Sequence, residues 1–272
     1  WIMPTGSLVS LQYADRVMEL VLGGYAIAIA TAVLPMMSRQ VVERNIEALR
    51  NTLSFSLRLV SFITIPAMVG LVVLRVPIIQ VLFEHGRFNR ESTQLTAWAL
   101  LFFAAGLPWF AATKIIVPAF YSTQDLRTPV KVAAWVMVAN VLFNLALMLP
   151  LRNGGPAAAT SLSGMLNFVA LYWLFRRRYG DPGSGAMIAS AARACAASAV
   201  MGAACWAMLE FSGFLRGAQP FAWQVAVLAV ILLVATSLYF GVARLLGCDE
   251  LKDLFSIARR RRVRPEAVLP DA

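Results

Sequence analysis

Long apolar runs separated by short polar segments make up most of this chain. Seven of the runs approach or exceed the twenty or so residues that a helix, rising 1.5 Å per residue, needs to cross a membrane. They predict an all-α, polytopic transmembrane helical bundle of about seven spans. The predicted spans are 8–37, 52–83, 93–120, 129–149, a fifth that follows a tight turn at 152–156 and ends at 175, 186–211 and 221–246.

The polar segments between the runs predict how the helices begin and end. Residues 39–50 place Glu43, Arg44, Glu47 and Arg50 at helical spacings, which predicts a separate helix on the membrane surface. Before the fourth run, Thr128 has the character of an N-cap, and Pro129 suits the first position of a helix. We therefore expect the fourth helix to begin at Pro129.

The composition supports a membrane protein. The chain of 272 residues is 60% hydrophobic and only 14% charged, with a mean hydropathy of +0.70, whereas soluble domains are about 25% charged. The net charge of +10 does not indicate a nucleic-acid partner, because the basic residues sit mainly between apolar runs and near the C-terminus. The single His85 and three widely spaced cysteines predict no metal site, and no catalytic motif is present, so we expect neither a cofactor nor an enzyme.

The basic residues also predict an orientation. Fourteen Lys and Arg residues fall on one set of loops and ends, and four fall on the other. Loops rich in Lys and Arg remain in the cytoplasm. We therefore expect the C-terminus to be cytoplasmic and the first predicted span to begin on the outer face. The Arg cluster at 176–178 and the basic tail are also suited to contacts with anionic lipids.

Three charges interrupt the first apolar run within five residues: Asp15, Arg16 and Glu19. A charge at the centre of a helix in hydrocarbon costs about 2.5–3.5 kcal/mol on insertion scales, so such residues are functional candidates. Arg16 lies roughly 13 Å along the helix from Ser7. One interpretation is an internal ion pair that helps assembly. The other is a polar cavity where Arg16 offers its planar fork of donors to an anionic head group.

Two further polar sets leave alternatives open. Asn140 and Asn144 are one helical turn apart, and Thr160 on the next span faces them if the two spans pack together. Their oxygens are suited either to a monovalent cation or to hydrogen bonds between helices. The connection that holds Gln124, Asp125, Arg127 and Lys131 is either a gate at the cytoplasmic face or a capped turn.

Several motifs in order resemble those of one family. They read YADRVME at 13–19, IAIAT at 27–31, LP at 34–35, LFEHGRF at 82–88 and PAFYSTQDLRTPVK at 118–131. Together they resemble the MurJ/MviN family of lipid II flippases, within the multidrug/oligosaccharidyl-lipid/polysaccharide exporter superfamily. The resemblance extends over about residues 7–178.

The resemblance implies a fourteen-span transporter made of two six-helix lobes and two C-terminal spans, of which this chain is the second half. It implies residues 1–7 as the tail of a preceding span, 8–178 as second-lobe helices, 179–247 as the two C-terminal spans and 248–272 as a cytoplasmic basic tail. An N-terminal lobe of the same protein would then be a partner. The last two spans are implied to shape a groove for a lipid tail.

The resemblance also implies a function in the bacterial inner membrane. It implies that undecaprenyl-diphosphate-linked peptidoglycan precursor is flipped by alternating access, with Arg16 and Glu19 as charged cavity residues beside Asp15. It further implies a sodium ion near Asn140, Asn144 and Thr160, although some members carry an acid where this chain has Asn144. Sodium or the membrane potential would drive transport. The alternatives are export of another lipid-linked oligosaccharide or a drug, and a scaffold that recruits cell-wall synthesis proteins.

Overall fold

The structure, a computed structural model, describes residues 6–86, 88–214, 219–248 and 250, without the side chains of residues 24–28. Within these residues the chain forms seven α-helices and one short 3-10 turn, and it forms no strand. The helices are α1 (Ser7–Val42), α2 (Ile46–Phe83), α3 (Arg90–Ser122), α4 (Arg127–Leu151), α5 (Gly155–Tyr179), α6 (Ser184–Phe211) and α7 (Phe221–Leu245), and the 3-10 turn Arg152–Gly154 joins α4 to α5. The predicted all-α bundle is confirmed.

Five helical segments are long and apolar enough to cross a membrane. They are Ile46–Phe83, Arg90–Ser122, Arg127–Tyr179, Ser184–Phe211 and Phe221–Leu245, and α1 contributes a shorter apolar stretch, Ile29–Val42. The third segment holds both α4 and α5, which pack against each other on either side of the 3-10 turn. The seven helices therefore match the prediction of about seven spans.

The separate surface helix predicted over residues 39–50 is wrong. The first four of these residues extend α1 to Val42, and α2 begins at Ile46. Between them Arg44 adopts a positive φ of 54°, and the Asn45 side chain accepts a hydrogen bond from the Ala48 N–H at 2.9 Å. Asn45 therefore caps α2, and this cap makes a tight turn where helical charge spacing predicted continuity.

The predicted start of the fourth helix is also wrong by two residues. Helix α4 begins at Arg127, and Thr128 does not cap it. Instead the Asp125 carboxylate accepts hydrogen bonds from the Thr128 N–H at 3.1 Å and from its hydroxyl at 2.7 Å. A carboxylate that accepts from the free N–H groups of a first turn is a stronger cap than the Thr128 hydroxyl three residues later.

The main core lies where α1, α2, α3 and α5 meet. Leu49 of α2, Leu107 and Ile115 of α3 and Phe175 of α5 are fully buried there. Helices α3 and α5 approach so closely that a Cβ added at Gly164 would lie 2.5 Å from the Phe110 ring. Because lipid removes the hydrophobic drive between helices, close approach at small residues is what holds such a bundle together.

A second core joins α6 and α7 to α2. Phe62 and Leu74 of α2 pack there with residues of α6 and α7, and the Tyr239 hydroxyl donates to the Phe62 carbonyl oxygen at 2.6 Å. One turn before Phe62, Arg58 forms an ion pair with Glu250, with 3.5 Å between Nη1 and Oε1, and the Glu250 side chain is almost fully buried. Helix α2 therefore belongs to both cores.

Three aromatic rings pack at the end of the bundle where α1 begins. The Tyr13 ring centroid lies 4.7 Å from that of Phe83 and 5.4 Å from that of Phe88. The loop between these two phenylalanines turns at Gly86, whose φ of +63° favours glycine. Thr93 donates to Glu84 at 2.7 Å across the same loop. The 82–88 motif therefore holds the start of α1 against the α2–α3 loop.

Two of the sequence interpretations fall outside the described residues. They are most of the predicted tail of a preceding span, residues 1–5, and the basic C-terminal tail from residue 251 onward. The domain division drawn from the resemblance stays a prediction.

Candidate binding site

The charged cluster lies on an exposed face of α1. Arg16 Nη1 donates to Glu19 Oε2 at 3.0 Å, and the two side chains are 78% and 53% exposed. Asp15 is half-buried and forms no ion pair within the described residues. The structure therefore pairs Arg16 with one of its two neighbouring acids, and the guanidinium keeps most of its surface available to a ligand.

Glu19 leads from this pair into a cavity of about 740 Å³ between α1, α3, α4 and α5. The α1 wall is formed by Met18, Glu19, Leu22 and Gly23. The facing walls carry polar side chains: Thr113, Lys114, Asn140, Thr160, Ser163 and Asn167. The cavity thus brings polar side chains of α1, α3, α4 and α5 together within a lining that is otherwise apolar.

The structure brings the predicted cation residues together. Asn140 and Thr160 line the cavity. Asn144 Nδ2 donates to the Asn140 carbonyl at 2.9 Å and to Asn140 Oδ1 at 3.0 Å, and Asn140 Nδ2 donates to Ser163 Oγ at 3.0 Å. Thr160 donates to the Pro156 carbonyl at 2.8 Å. The set offers neutral oxygens without a carboxylate, and in this arrangement it is used in hydrogen bonds, two of them within α4 and one from α4 to α5.

Lys114 is a cavity residue that sequence reasoning did not single out. Nothing in the sequence connects Lys114 on α3 with Glu19 on α1. The sequence feature that could have identified Lys114 is its position inside an apolar run, since intramembrane cations are functional candidates.

On its other side, α1 forms one wall of an apolar groove of about 490 Å³. Val17, Leu20 and Val21 contribute from α1, and Phe62, Gly70 and Leu74 are among the α2 residues. Helices α6 and α7 complete the groove with aliphatic and aromatic residues: Met201, Cys205, Leu228, Leu232, Ala235, Thr236, Tyr239 and Phe240. One helix therefore separates a polar cavity from an apolar groove.

The α3–α4 turn is a capped turn that is tied to α5. Arg178 of α5 donates to Asp125 Oδ2, and the Tyr179 hydroxyl donates to Thr123 Oγ1 at 2.9 Å. The hydrogen bonds from Thr128, and then the Arg178 guanidinium, hold the pKa of Asp125 below its ordinary value, against the opposing effect of burial. Gln124 takes a positive φ of 59°, and Arg127 and Lys131 are exposed on one face of α4. A gating role for these residues stays a prediction.

Comparison with known proteins gives independent evidence about the family of this chain. The family model "Lipid II flippase MurJ" matches residues 2–223. The chain is similar to the "Probable lipid II flippase MurJ" of Vibrio cholerae serotype O1, with 39% identity over 170 residues that cover 62% of this chain and 32% of that protein. It is similar also to the "Probable lipid II flippase MurJ" of Rhizobium tropici, with 31% identity over 261 residues that cover 96% of this chain and 49% of that protein.

A solved structure, "Lipid II flippase MurJ, inward closed conformation", has a similar fold. It aligns with a TM-score of 0.66 and 26% identity over 87% of this chain and 48% of that one. The chain therefore spans between a third and a half of the length of these proteins. With the family model covering most of its length, the chain belongs to the MurJ lipid II flippase family.

Proposed function

We propose that this chain forms part of a transporter that flips a lipid-linked peptidoglycan precursor, lipid II, across the bacterial inner membrane. The observation that carries the proposal is the position of α1 between the cavity that holds charged and amide side chains and the apolar groove. Lipid II combines an anionic diphosphate head with a long polyprenyl tail. The two spaces offer each part a matching environment on either side of one helix.

In this proposal Arg16 binds the diphosphate. A guanidinium stays charged and donates two parallel hydrogen bonds to phosphate oxygens. In the empty protein Glu19 compensates its charge through the 3.0 Å ion pair. An arriving diphosphate competes with Glu19 for the same donors, so binding does not leave either state with an unpaired arginine. Asp15, on the next position of the helix, tunes the orientation of Arg16.

The exposed face of Arg16 requires a facing surface, and we assign this to an N-terminal lobe of the same protein. Transport then occurs as rocking of the two lobes about the cavity, as in transporters with midplane sites. The driving force in this proposal is the membrane potential or sodium. Because Asn140, Asn144 and Thr160 provide only neutral oxygens, no step is assigned to an ion bound there.

The proposal includes an orientation. In this proposal the α1–α2 and α3–α4 turns and the C-terminus are cytoplasmic, which the Lys and Arg distribution supports. The Tyr13, Phe83 and Phe88 cluster then lies at the outer face, and Arg16 lies in the outer half of the membrane. Cysteine accessibility at the two ends of α2 tests this orientation directly.

The test of the function is Arg16→Ala in the full-length protein. We expect flipping in vesicles to be lost while the amount of inserted protein is unchanged. Arg16→Lys should also flip poorly, because an ammonium lacks the bidentate fork. The matched control is Arg244→Gln, which removes a cation from the exposed end of α7. Unimpaired flipping by Arg16→Ala would contradict the proposed role.

The alternative substrates are another lipid-linked oligosaccharide or a drug. Competition for flipping in vesicles separates them, because a true substrate inhibits transport of labelled lipid II in proportion to its affinity. The scaffold alternative relied on a surface helix over residues 39–50 and on the basic tail. The structure divides the first of these elements between α1 and α2.

A further inference from the structure

The chain turns back against the bundle directly after α7. Helix α7 ends at Leu245, and Gly247 then takes a φ of +66°, which favours glycine. The Cys248 N–H donates to the Ala243 carbonyl at 3.0 Å, and the side chains of both residues are buried. This hydrogen bond is the common cap of a helix that a glycine ends. The cap therefore keeps the residues that follow α7 close to the helices they have just left.

Glu250 ties this turn to α2. Its side chain is only 3% exposed, and its Oε1 lies 3.5 Å from Nη1 of Arg58. Helix α6 contacts the same turn, because Arg193 Nη1 donates to the Gly247 carbonyl at 2.9 Å. Two helices that precede α7 in the chain therefore hold the turn that follows it.

The Arg58–Glu250 pair lies at one end of the apolar groove. Among the α2 residues that line the groove, Phe62 is the nearest to the start of the helix, and Arg58 precedes it by one turn. The Tyr239 ring centroid lies 5.2 Å from that of Phe62, in addition to the hydrogen bond between the two residues. The groove lining therefore ends at two packed rings, and the ion pair lies just beyond them.

This ion pair is poorly satisfied for a buried contact. Charge-assisted hydrogen bonds are usually about 2.7–2.9 Å long. Arg58 Nε and Glu250 Oε2 are also buried without a hydrogen-bond partner among the described residues. The Asp125 carboxylate, by contrast, accepts from the Thr128 N–H, the Thr128 hydroxyl and Arg178. Because desolvation offsets the attraction when buried polar atoms lack partners, the Arg58–Glu250 contact should open more readily than the Asp125 contact.

We propose that the Arg58–Glu250 pair is a latch that holds the end of α7 on α2 and keeps the groove narrow at this end. When the latch opens, the turn after α7 is released and α7 moves away from Phe62, which makes room for a long apolar chain. Neither Arg58 nor Glu250 is among the described residues that line the groove, so both are positioning residues. The inference rests on the proposed function, because it assumes that the groove binds the polyprenyl tail.

Two buried cysteines report on the latch. Cys248 is 4% exposed and lies two residues before Glu250, whereas Cys205 is 1% exposed and lies in the groove wall on α6. The measurement is the rate at which N-ethylmaleimide labels the full-length protein in vesicles after every cysteine except Cys248 has been removed. We expect Glu250→Gln and Arg58→Gln each to label about tenfold faster than the unchanged protein, because each leaves the other charge buried and uncompensated.

The two changes together should label Cys248 no faster than either change alone, because both open the same contact. The matched control is Glu43→Gln, which breaks the exposed 2.8 Å ion pair of Arg39 with Glu43 and should not affect labelling. Protection of Cys248 in both single variants, or additive acceleration in the double variant, would overturn the latch. A protein that keeps only Cys205 gives a further check. If Glu250→Gln labels Cys205 as fast as Cys248, the whole second core has loosened and the latch is also overturned.

The outcomes separate the latch from the function on which it rests. Labelling of Cys248 requires no transport, so it tests the latch even if the unchanged protein does not flip lipid II and the proposed function fails. If the unchanged protein flips lipid II, we expect Glu250→Gln to cause a partial loss of that flipping and to spare a short-tailed analogue. An equal loss with both substrates would show that the pair does not act through the groove, and the inference would be overturned while the function stands.

Discussion

The two faces of α1 differ in how their walls are built. The groove face is completed by packed side chains of α2, α6 and α7, and Phe62 and Tyr239 are almost completely buried in its wall. The cavity face is completed by side chains that retain exposure and polar groups, such as Lys114 and Met137. The comparison teaches that the groove shares buried wall residues with the second core, whereas the wall of the cavity includes long side chains that remain exposed. Changes on the two faces should therefore affect different properties.

The largest expected effect is on stability at the groove. Phe62→Ala should lower the free energy of unfolding by about 3–5 kcal/mol, because it removes a fully buried ring and leaves a void in the second core. Met137→Ala, which shortens a 71% exposed residue of the cavity wall, should change it by less than about 0.5 kcal/mol. Thermal unfolding in one detergent measures both. Equal losses of unfolding free energy in the two variants would show that the groove wall is not more tightly packed than the cavity wall.

A pair of glycines offers the next test, on transport. Gly23 lines the cavity and Gly70 lines the groove, and a Cβ at either position would meet no atom within 4 Å. Either position therefore accepts the first atom of a side chain, and the ring of a phenylalanine would occupy part of the adjoining space. We expect Gly70→Phe to reduce flipping of the long-tailed substrate about tenfold and to spare a short-tailed analogue, whereas Gly23→Phe reduces both.

Alanine at each glycine is the control for helix propensity, and flipping in vesicles is the measurement. If Gly70→Phe reduces flipping of long-tailed and short-tailed substrates equally, the groove does not bind the tail. If Gly23→Phe reduces flipping of the long-tailed substrate only, the tail binds in the cavity and not in the groove.

A change that touches neither face should give a smaller effect. Asp125→Asn weakens the cap at the α3–α4 turn and should cost about 1 kcal/mol of stability at neutral pH. Because hydrogen bonds from Thr128 and the Arg178 charge lower the pKa of Asp125 in the folded protein, its stabilisation is complete above the unfolded-state pKa of about 3.9. It is lost as pH falls through the lower folded-state pKa.

Unfolding curves of Asp125→Asn and the unchanged protein should therefore converge below about pH 4. Thr128→Ser keeps the hydroxyl donor and serves as the control. A stability difference that stays constant from neutral to acidic pH would show that the carboxylate charge does not matter at this turn.

The smallest expected effect concerns the exposed cations of α4. Arg127→Gln with Lys131→Gln should leave stability within about 0.5 kcal/mol, since both side chains are exposed. If these cations attract an anionic head group to the cytoplasmic end, flipping should fall a few-fold at low salt. The deficit should disappear near 1 M salt, where the screening length is about 3 Å. A salt-independent deficit would indicate a gate of another kind.

The helices could be predicted from the sequence because each apolar run must satisfy its own backbone in lipid. The charged cluster of α1 could be found for the same reason, since a charge in such a run needs an explanation. The predicted helix boundaries were wrong where a single polar side chain determines where a helix begins. Asn45 caps α2 inside a segment whose charge spacing predicted one continuous helix. Asp125 caps α4, which begins at Arg127, two residues before the predicted start at Pro129.

The cavity itself could not be predicted, because it depends on which helices are neighbours. Glu19 and Lys114 are distant in sequence and meet only because α1 packs on α3. The position of Asn140 and Thr160 in one cavity was easier to foresee, since α4 and α5 follow each other across a short turn. The Glu19–Arg16 pair needed no tertiary information, because spacing on one helix brings the two charges together.

The ion pair between Arg58 and Glu250 has a consequence for biogenesis. During synthesis Arg58 enters the membrane with α2, long before Glu250 leaves the ribosome. Until the residues after α7 have been synthesised, the guanidinium lacks this counter-ion. The pair therefore joins the residues that follow α7 to α2 across almost two hundred positions of sequence.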